Sequence, residues 1–327
     1  MIYPSQLDWL IEMDKRVELS EKSMKELYRL KSGAEGEQFV LEVLEEFGQP
    51  NWTVLKNVWF EYNGYFECDI VVLTKAGIYT FEVKNYTGHF VFENMQCSIN
   101  GERIGFNPIN QTQYSYTNLE KLIHSEMPDV KVYGSLVFVG EYNTLKVHDA
   151  INGIQIVMRN ELRNHIWEMR KQERDHYGAI VDMDYSIKLF KRYAAKSKFV
   201  PEPITEKMQL QLRKGICCSN CGSFNVEVSR IYIMCTCGMK EPLENAIIRT
   251  ICEYGVIHFD KELVTSNLCT FFGEQVSRNT ILRYLQKHFT KIGSNRNTTY
   301  HNYCAPFKLI YKEFNLPLKR MLSIGDY

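Results

Sequence analysis

Asp69, Glu82 and Lys84 are the residues of this chain whose types and spacing point most directly to chemistry. They lie in Tyr65–Gly88, where the apolar runs Ile70–Leu73 and Ile78–Val83 flank Thr74-Lys75-Ala76-Gly77. The runs read as strands, and the residues between them as a hairpin loop in which Gly77 supplies a positive φ. If Leu73 pairs with Ile78, the same register brings Asp69 opposite Glu82, with Cβ atoms roughly 5 Å apart. Strand alternation adds Lys84 to that face. Facing carboxylates repel and weaken a sheet, and a divalent cation between them removes the conflict. Mg²⁺ or Mn²⁺ accepts hard oxygen ligands of this kind and completes its shell with water. The neighbouring lysine can then stabilise charge developing on a phosphate or help activate an attacking water. The alternative is an ordinary solvated charged face; the apolar flanks weigh against it.

A second group is sulfur-based. Cys218-Ser-Asn-Cys221-Gly is followed, after the thirteen residues Gly222–Met234, by Cys235-Thr-Cys237-Gly. Two knuckles, each ending in a glycine that permits a tight return, suit a closed tetrahedral Zn²⁺ site with four thiolate ligands. Such a site has no open position, so its role is structural. Cys217 is a rival to Cys218, but the Cys-Gly ending of both knuckles favours Cys218. The apolar residues Val226, Val228, Ile231 and Ile233 between the knuckles suffice for a short hairpin. The whole resembles a zinc ribbon.

The carboxylate hairpin carries a resemblance of its own. Asp69 followed by Glu82-Val83-Lys84 is similar to the Asp…Glu-x-Lys signature of the PD-(D/E)xK nuclease superfamily. Gly33-Ala-Glu-Gly-Glu37 lies before the hairpin, Glu-Val-Lys-Asn-Tyr-x-Gly closes it, and Asn107-Pro108-x-x-Gln111 follows. In that order these pieces resemble the NERD (nuclease-related) domain over about residues 30–145. The resemblance implies a restriction-endonuclease-like mixed sheet flanked by helices, and metal-dependent hydrolysis of a phosphodiester, most readily in DNA, with RNA as the other substrate class. It implies Asp69 and Glu82 as ligands of Mg²⁺ or Mn²⁺, with the Val83 carbonyl as a further ligand. Lys84 would orient or activate the attacking water, and Glu37 and Gln111 would assist at the metal and the phosphate. It also suggests a setting in defence against foreign DNA or in DNA processing. The alternative is a non-catalytic DNA-binding regulator or complex subunit that retains a nuclease fold.

The elements around these groups follow from periodicity. The chain has 327 residues, 45% hydrophobic and 24% charged, with a formal net charge of zero. It is an α/β globular protein of two or three domains, and any attraction to nucleic acid must be local. Ten cysteines, five of them within 217–237, indicate a metal site and a reducing, cytoplasmic setting rather than a disulfide framework. No apolar run is long enough to span a membrane. Residues 1–31 read as helices that pack on the next domain, with a protein-partner arm as the alternative. Residues 32–198 form the nuclease-like domain, opening with a helix capped by Ser32 and running to Phe47. Without the resemblance, Glu37 in its first turns would serve the helix dipole. Residues 199–213 read as a proline-marked linker, 214–242 as the ribbon, and 243–327 as a small winged-helix-like domain that binds nucleic acid. From Arg278 to the end there are nine Lys/Arg and two Asp/Glu. Arg278, Asn279, Arg283 and Lys287 fall on the outer face of the third helix there, and Lys291 and Arg296 in the loop after it. Such a local excess gives salt-dependent phosphate affinity.

Overall fold

The computed structural model describes residues 3–94, 96–148, 151–294, 298–307 and 321–322. Arg296 and much of the basic C-terminus lie outside them. Helices α1 (Gln6–Arg16) and α2 (Glu21–Phe47) come first. They are followed by β1 (Thr53–Glu61), β2 (Tyr65–Leu73), β3 (Ile78–Lys84), β4 (His89–Glu93), β5 (Gln96–Ile99) and β6 (Glu102–Arg103). Then come α3 (Pro108–Glu126), β7 (Val132–Phe138), β8 (Thr144–Val147), β9 (Ile154–Met158), α4 (Leu162–Arg174), α5 (Met183–Tyr193) and α6 (Glu206–Gln211). The remainder is β10 (Val226–Val228), β11 (Tyr232–Cys235), β12 (Lys240–Pro242), α7 (Leu243–Ile257), α8 (Thr265–Phe272), α9 (Arg278–His288), β13 (Lys291–Ile292), β14 (Thr299–Tyr300) and β15 (Met321–Leu322). The chain divides into two compact units, one of residues 29–197 and 318–327, the other of 1–28 and 198–317.

The unit of residues 29–197 is built on a mixed sheet in the order β15-β1-β2-β3-β7-β9. The hairpins run antiparallel, while β3, β7 and β9 are parallel. One face buries Ile70, Val72, Tyr79 and Phe81 against Val40, Leu41 and Leu44 of α2 and Leu162, Ile166 and Met169 of α4. The other buries Leu55, Phe60, Val71 and Leu73 against Leu119, Leu122 and Ile123 of α3 and Leu189 and Phe190 of α5. The result is a helix–sheet–helix sandwich, the fold class expected from the sequence. A four-stranded sheet, β6-β5-β4-β8, packs Phe90 and Phe92 against Phe138 at the end of β7.

Three local expectations change. The helix bearing Glu37 does not begin at Ser32: α2 starts at Glu21, and the Ser32 hydroxyl donates to the Asn85 carbonyl at 3.2 Å. The Glu-, Lys- and Leu-rich stretch before Ser32 has high helix propensity, so a single interior serine does not stop it. Gly36 lets this helix close on the sheet, since a Cβ there would lie 2.8 Å from Asn85 Cβ and 3.0 Å from Val139. Gly77 does not adopt a positive φ; a Cβ at that position would sit 2.8 Å from the Lys131 carbonyl oxygen, so glycine is required for space. The loop is held instead by Thr74, whose Oγ1 accepts from the amides of Ala76 and Gly77. The linker, finally, contains the two-turn helix α6, capped by Thr205.

In the other unit, α7, α8 and α9 share a core of Ile247, Ile251, Leu268, Phe272, Ile281 and Leu285. Leu263 bridges to Tyr300 of β14, which pairs with β13. Helix, bridge, helix, helix and hairpin follow one another in this order. Helix α1 packs here rather than on the nuclease-like domain: Met13 enters this core, and Arg16, fully buried, donates to Glu253 at 2.6 Å and to the carbonyls of Arg213 and Gly215. Arg249 completes the buried network, pairing with Glu253 at 2.6 Å and Glu241 at 2.9 Å.

His258, 2% exposed at the end of α7, is held neutral by burial, which lowers its pKa to about 4. The unfolded chain binds a proton near pH 6.5 that the folded chain refuses, so this contribution to stability is present above 6.5 and is lost as pH falls toward 4. His258 alone should therefore take on the order of 2 kcal/mol from the stability of this unit between pH 7 and 5, while Glu12 of α1, raised to about 7 by burial and Glu253, acts in the opposite direction. In denaturant unfolding, wild type should lose that much relative to His258→Gln over this range; parallel profiles would assign the pH dependence to other groups.

Candidate active site and cysteine cluster

The register of the carboxylate hairpin is the one its loop length implies, with Leu73 opposite Ile78 and Ile70 opposite Phe81. The backbone ladder then stops one rung short of Asp69 and Glu82. On the other side, β1 pairs with β2 through Lys56–Ile70 and again through Val58–Cys68, skipping the rung between. Asp69 is thus excluded from both ladders, and its carboxylate accepts the Val83 amide at 2.8 Å instead. A carboxylate in place of a ladder carbonyl keeps the Val83 N–H satisfied while turning Asp69 toward Glu82.

Glu82 is buried, 4% exposed, and accepts a hydrogen bond from Lys84 Nζ at 2.6 Å. Burial, followed by repulsion from Asp69, raises the Glu82 pKa to about 7. Burial raises Asp69 as well, against the pull of Lys84 and the Val83 amide. Lys84 moves up: burial opposes its charge, but Glu82 and Asp69 together outweigh burial. It is therefore an ammonium at neutral pH, suited to stabilising negative charge and orienting water rather than to accepting a proton.

Glu37 joins this group. It lies well inside α2, sixteen residues after Glu21, so compensation of the helix dipole does not explain it. Burial and then Asp69 raise its pKa to about 7, with Glu82 contributing and the Asn57 side chain opposing. The sequence reading missed Glu67, two residues before Asp69 on β2. Burial and the charges of Asp69, Glu37 and Glu82 raise it to about 8. Strand alternation from Asp69 was the signal that could have found it. Gln111 is not drawn in: it is exposed in the first turn of α3, and no hydrogen bond to Glu37, Asp69, Glu82 or Lys84 occurs among the described residues. Asn107 before it has a clear structural role, capping α3 by accepting the Ile109 amide at 2.9 Å.

Four carboxylates whose pKa values are all raised by burial, beside one ammonium, are a donor set suited to a hard divalent cation. Among the described residues no three of these oxygens close to within 4.8 Å of one another. A cation here would be held by no more than two of these carboxylates as they stand, with water in its remaining positions, as Mg²⁺ tolerates.

The four cysteines do close. Cys218, Cys221, Cys235 and Cys237 place their sulfurs within 4.8 Å of one another. Cys218–Cys237 is 3.6 Å and Cys221–Cys235 3.5 Å. A tetrahedral Zn²⁺ with bonds of about 2.3 Å requires an S–S edge of about 3.8 Å, so the residues fit a structural zinc. Both knuckle glycines are left-handed, Gly222 at φ +70° and Gly238 at +88°. The Met239 amide and the Asn220 side chain lower the Cys237 thiol to about 6, while at Cys221 the Ser223 amide is outweighed by the neighbouring cysteines, which hold that thiol up to about 12, as expected of four thiols crowded together. Cys217 is directed elsewhere: its carbonyl accepts from Arg249 at 2.7 Å and its thiol lies against Glu253. The knuckles end a three-stranded sheet, β10-β11-β12, that packs Ile233 onto the α7 core.

Of the residues expected to meet nucleic acid, Arg278, Asn279, Arg283 and Lys291 are exposed on α9 and β13. Lys287 is less available, because its Nζ pairs with Glu244 of α7 at 2.7 Å. Arg283 stacks its guanidinium 4.8 Å above the Tyr284 ring.

Residues 32–139 match the family model NERD, described as the nuclease-related domain. The match contains Glu37, Glu67, Asp69, Glu82, Lys84 and Gln111, and this part of the chain is similar to the nuclease-related domain. No curated protein and no solved structure gives a significant match. Among the described residues, no helix is long and apolar enough to cross a membrane.

Proposed function

We propose that the protein is a divalent-cation-dependent phosphodiesterase that cuts DNA. The observation that carries this reading is the Asp69–Glu82–Lys84 arrangement. A carboxylate freed from both ladders faces a buried glutamate, and an ammonium is clamped 2.6 Å from that glutamate. Mg²⁺ or Mn²⁺ would supply a Lewis acid for the phosphoryl oxygen. Asp69 and Glu82 would hold it. Lys84 would orient the attacking water and stabilise charge developing on the phosphate. Glu37 would take a proton from that water or hold it in line, and Gln111 would meet the phosphate of a bound strand. Zinc would be structural. The test is nicking of supercoiled plasmid by the purified full chain with and without Mg²⁺, beside linear and single-stranded DNA and RNA.

In this reading the winged helix recruits the substrate. Arg278, Asn279 and Arg283 on α9 face the groove, and Lys291, with Arg296 beyond the described residues, meets phosphates. Changing Arg278, Arg283 and Lys291 to Glu should lower DNA affinity by one to two orders of magnitude. It should also flatten the slope of log K against log salt, by about 0.9 for every phosphate that is no longer neutralised. Cleavage at saturating DNA should change far less. Lys287→Ala should leave the slope nearly unchanged because Glu244 already neutralises it. An unchanged slope in the triple variant would place DNA recruitment elsewhere.

A further inference from the structure

Asn57 adopts a left-handed backbone, φ +51°, in the middle of the nine-residue strand β1. Such a conformation is uncommon for a non-glycine residue, asparagine being among those that adopt it most readily, and it is unusual inside a strand. Its position is not arbitrary. The β1–β2 ladder is intact at Lys56–Ile70 and at Val58–Cys68, so the skipped rung is the one where Asn57 faces Asp69.

Both strands change which residues they bury at that rung. On β1 the α3/α5 core receives Leu55, then Val58 and Phe60; on β2 it receives Phe66 and Cys68, then Val71 and Leu73. Strict alternation would continue from Leu55 to Asn57 and from Cys68 to Ile70, but Ile70 lies in the opposite core. The register is the same on both sides of this rung, so what changes there is the face each strand presents, and Asn57 and Asp69 are the pair left out of the ladder. The Asn57 side chain, exposed on this opened rung, lies within hydrogen-bonding reach of Glu37 of α2.

We propose that Asn57 is a positioning residue of the site: its backbone opens the sheet at Asp69, and its side-chain amide holds the Glu37 carboxylate toward the Asp69–Glu82 pair. This rests on reading that pair as the cation site of a phosphodiesterase. The backbone and side-chain roles separate by substitution. Asn57→Gly keeps the left-handed conformation and removes the amide. Asn57→Asp keeps the shape and the tolerance of this conformation but gives Glu37 no donor.

The experiment is a double-mutant cycle of Asn57→Gly and Glu37→Gln in the zinc-loaded full chain, with Asn57→Asp alongside. It is read on plasmid cleavage in saturating Mg²⁺ and on thermal unfolding. Asn57→Gly and Asn57→Asp should each lower kcat about 10- to 100-fold with KM changed less than about 3-fold, the range seen when a group that orients a site residue is removed. The Asn57→Gly/Glu37→Gln double variant should cleave no more slowly than Glu37→Gln alone, and the two changes should be non-additive in unfolding temperature. A purely structural bend would let glycine perform as well as asparagine. Wild-type kcat in Asn57→Gly, or losses that multiply in the double variant, would overturn the proposal. If the wild type cleaves no nucleic acid, the phosphodiesterase reading fails separately. The unfolding cycle then still decides: additivity removes the Asn57–Glu37 interaction, and coupling retains it.

Discussion

Lys84→Ala is expected to lower cleavage on the order of 10³-fold while leaving the fold intact. The ammonium lies 2.6 Å from Glu82 and remains charged because Glu82 and Asp69 outweigh the cost of burying it. Its removal deletes the positive charge that would face the developing phosphate charge. It also leaves two buried carboxylates facing each other with less compensation, so the cation-free variant should melt lower than wild type. Added Mn²⁺ should restore that loss and should bind at least as tightly as in wild type, since a competing positive charge is gone. Glu82→Gln should behave differently, losing cleavage and weakening Mn²⁺ together. The measurement pairs plasmid nicking with Mn²⁺ titration of each variant. A Lys84→Ala protein that cuts at the wild-type rate would remove Lys84 from the site.

Loss of zinc is expected to have the other large effect. Elemental analysis should find one zinc per chain. Apparent binding free energies for such sites are about 10–16 kcal/mol, more than a three-stranded ribbon of this size can gain from its own core. The consequence should extend beyond the knuckles. Ile233 of β11, with Val226 and Val228 against it, packs on the core that contains Ile247 and Ile251 of α7. The chain just before Cys218 is pinned through Arg213, Gly215 and Cys217 to Arg16 and Arg249. Chelation or Cys221→Ser should therefore expose amides in 214–242 to rapid hydrogen exchange and speed exchange in α1 and α7. Mg²⁺-dependent cutting at saturating DNA should persist. Zinc-free protein, or exchange in 214–242 unaffected by chelation, would contradict the assignment.

Local patterns made much of this visible in the sequence. A four-residue loop fixed the register of β2 and β3, and through it the meeting of Asp69 and Glu82. Metal-ligand spacing and two glycines identified the cysteine site, including the choice of Cys218 over Cys217. What escaped depends on tertiary context. Ser32 looked like a helix cap because serine caps helices, but the preceding residues continue the helix and its hydroxyl donates to the Asn85 carbonyl just after β3. The docking of α1 depends on Arg16 finding Glu253, a partner more than two hundred residues away. Glu67 and Asn57 lie in strands that read as ordinary; alternation from Asp69 reaches Glu67, and the skipped rung of the β1–β2 ladder shows why Asn57 matters. Lys287 looked like a free surface charge until α7 brought Glu244 to it.

The central claim is that Asp69, Glu82 and Lys84 form a cation-dependent cutting site. The most direct measurement is the rate of supercoiled-plasmid nicking by the purified full chain against Mg²⁺ concentration, with Asp69→Asn prepared identically. Nicking that saturates with Mg²⁺, vanishes in chelator and is lost in Asp69→Asn is the predicted result. Nicking that ignores Mg²⁺ or survives Asp69→Asn, or no cutting of any DNA or RNA substrate by a folded wild type that binds DNA, would contradict it.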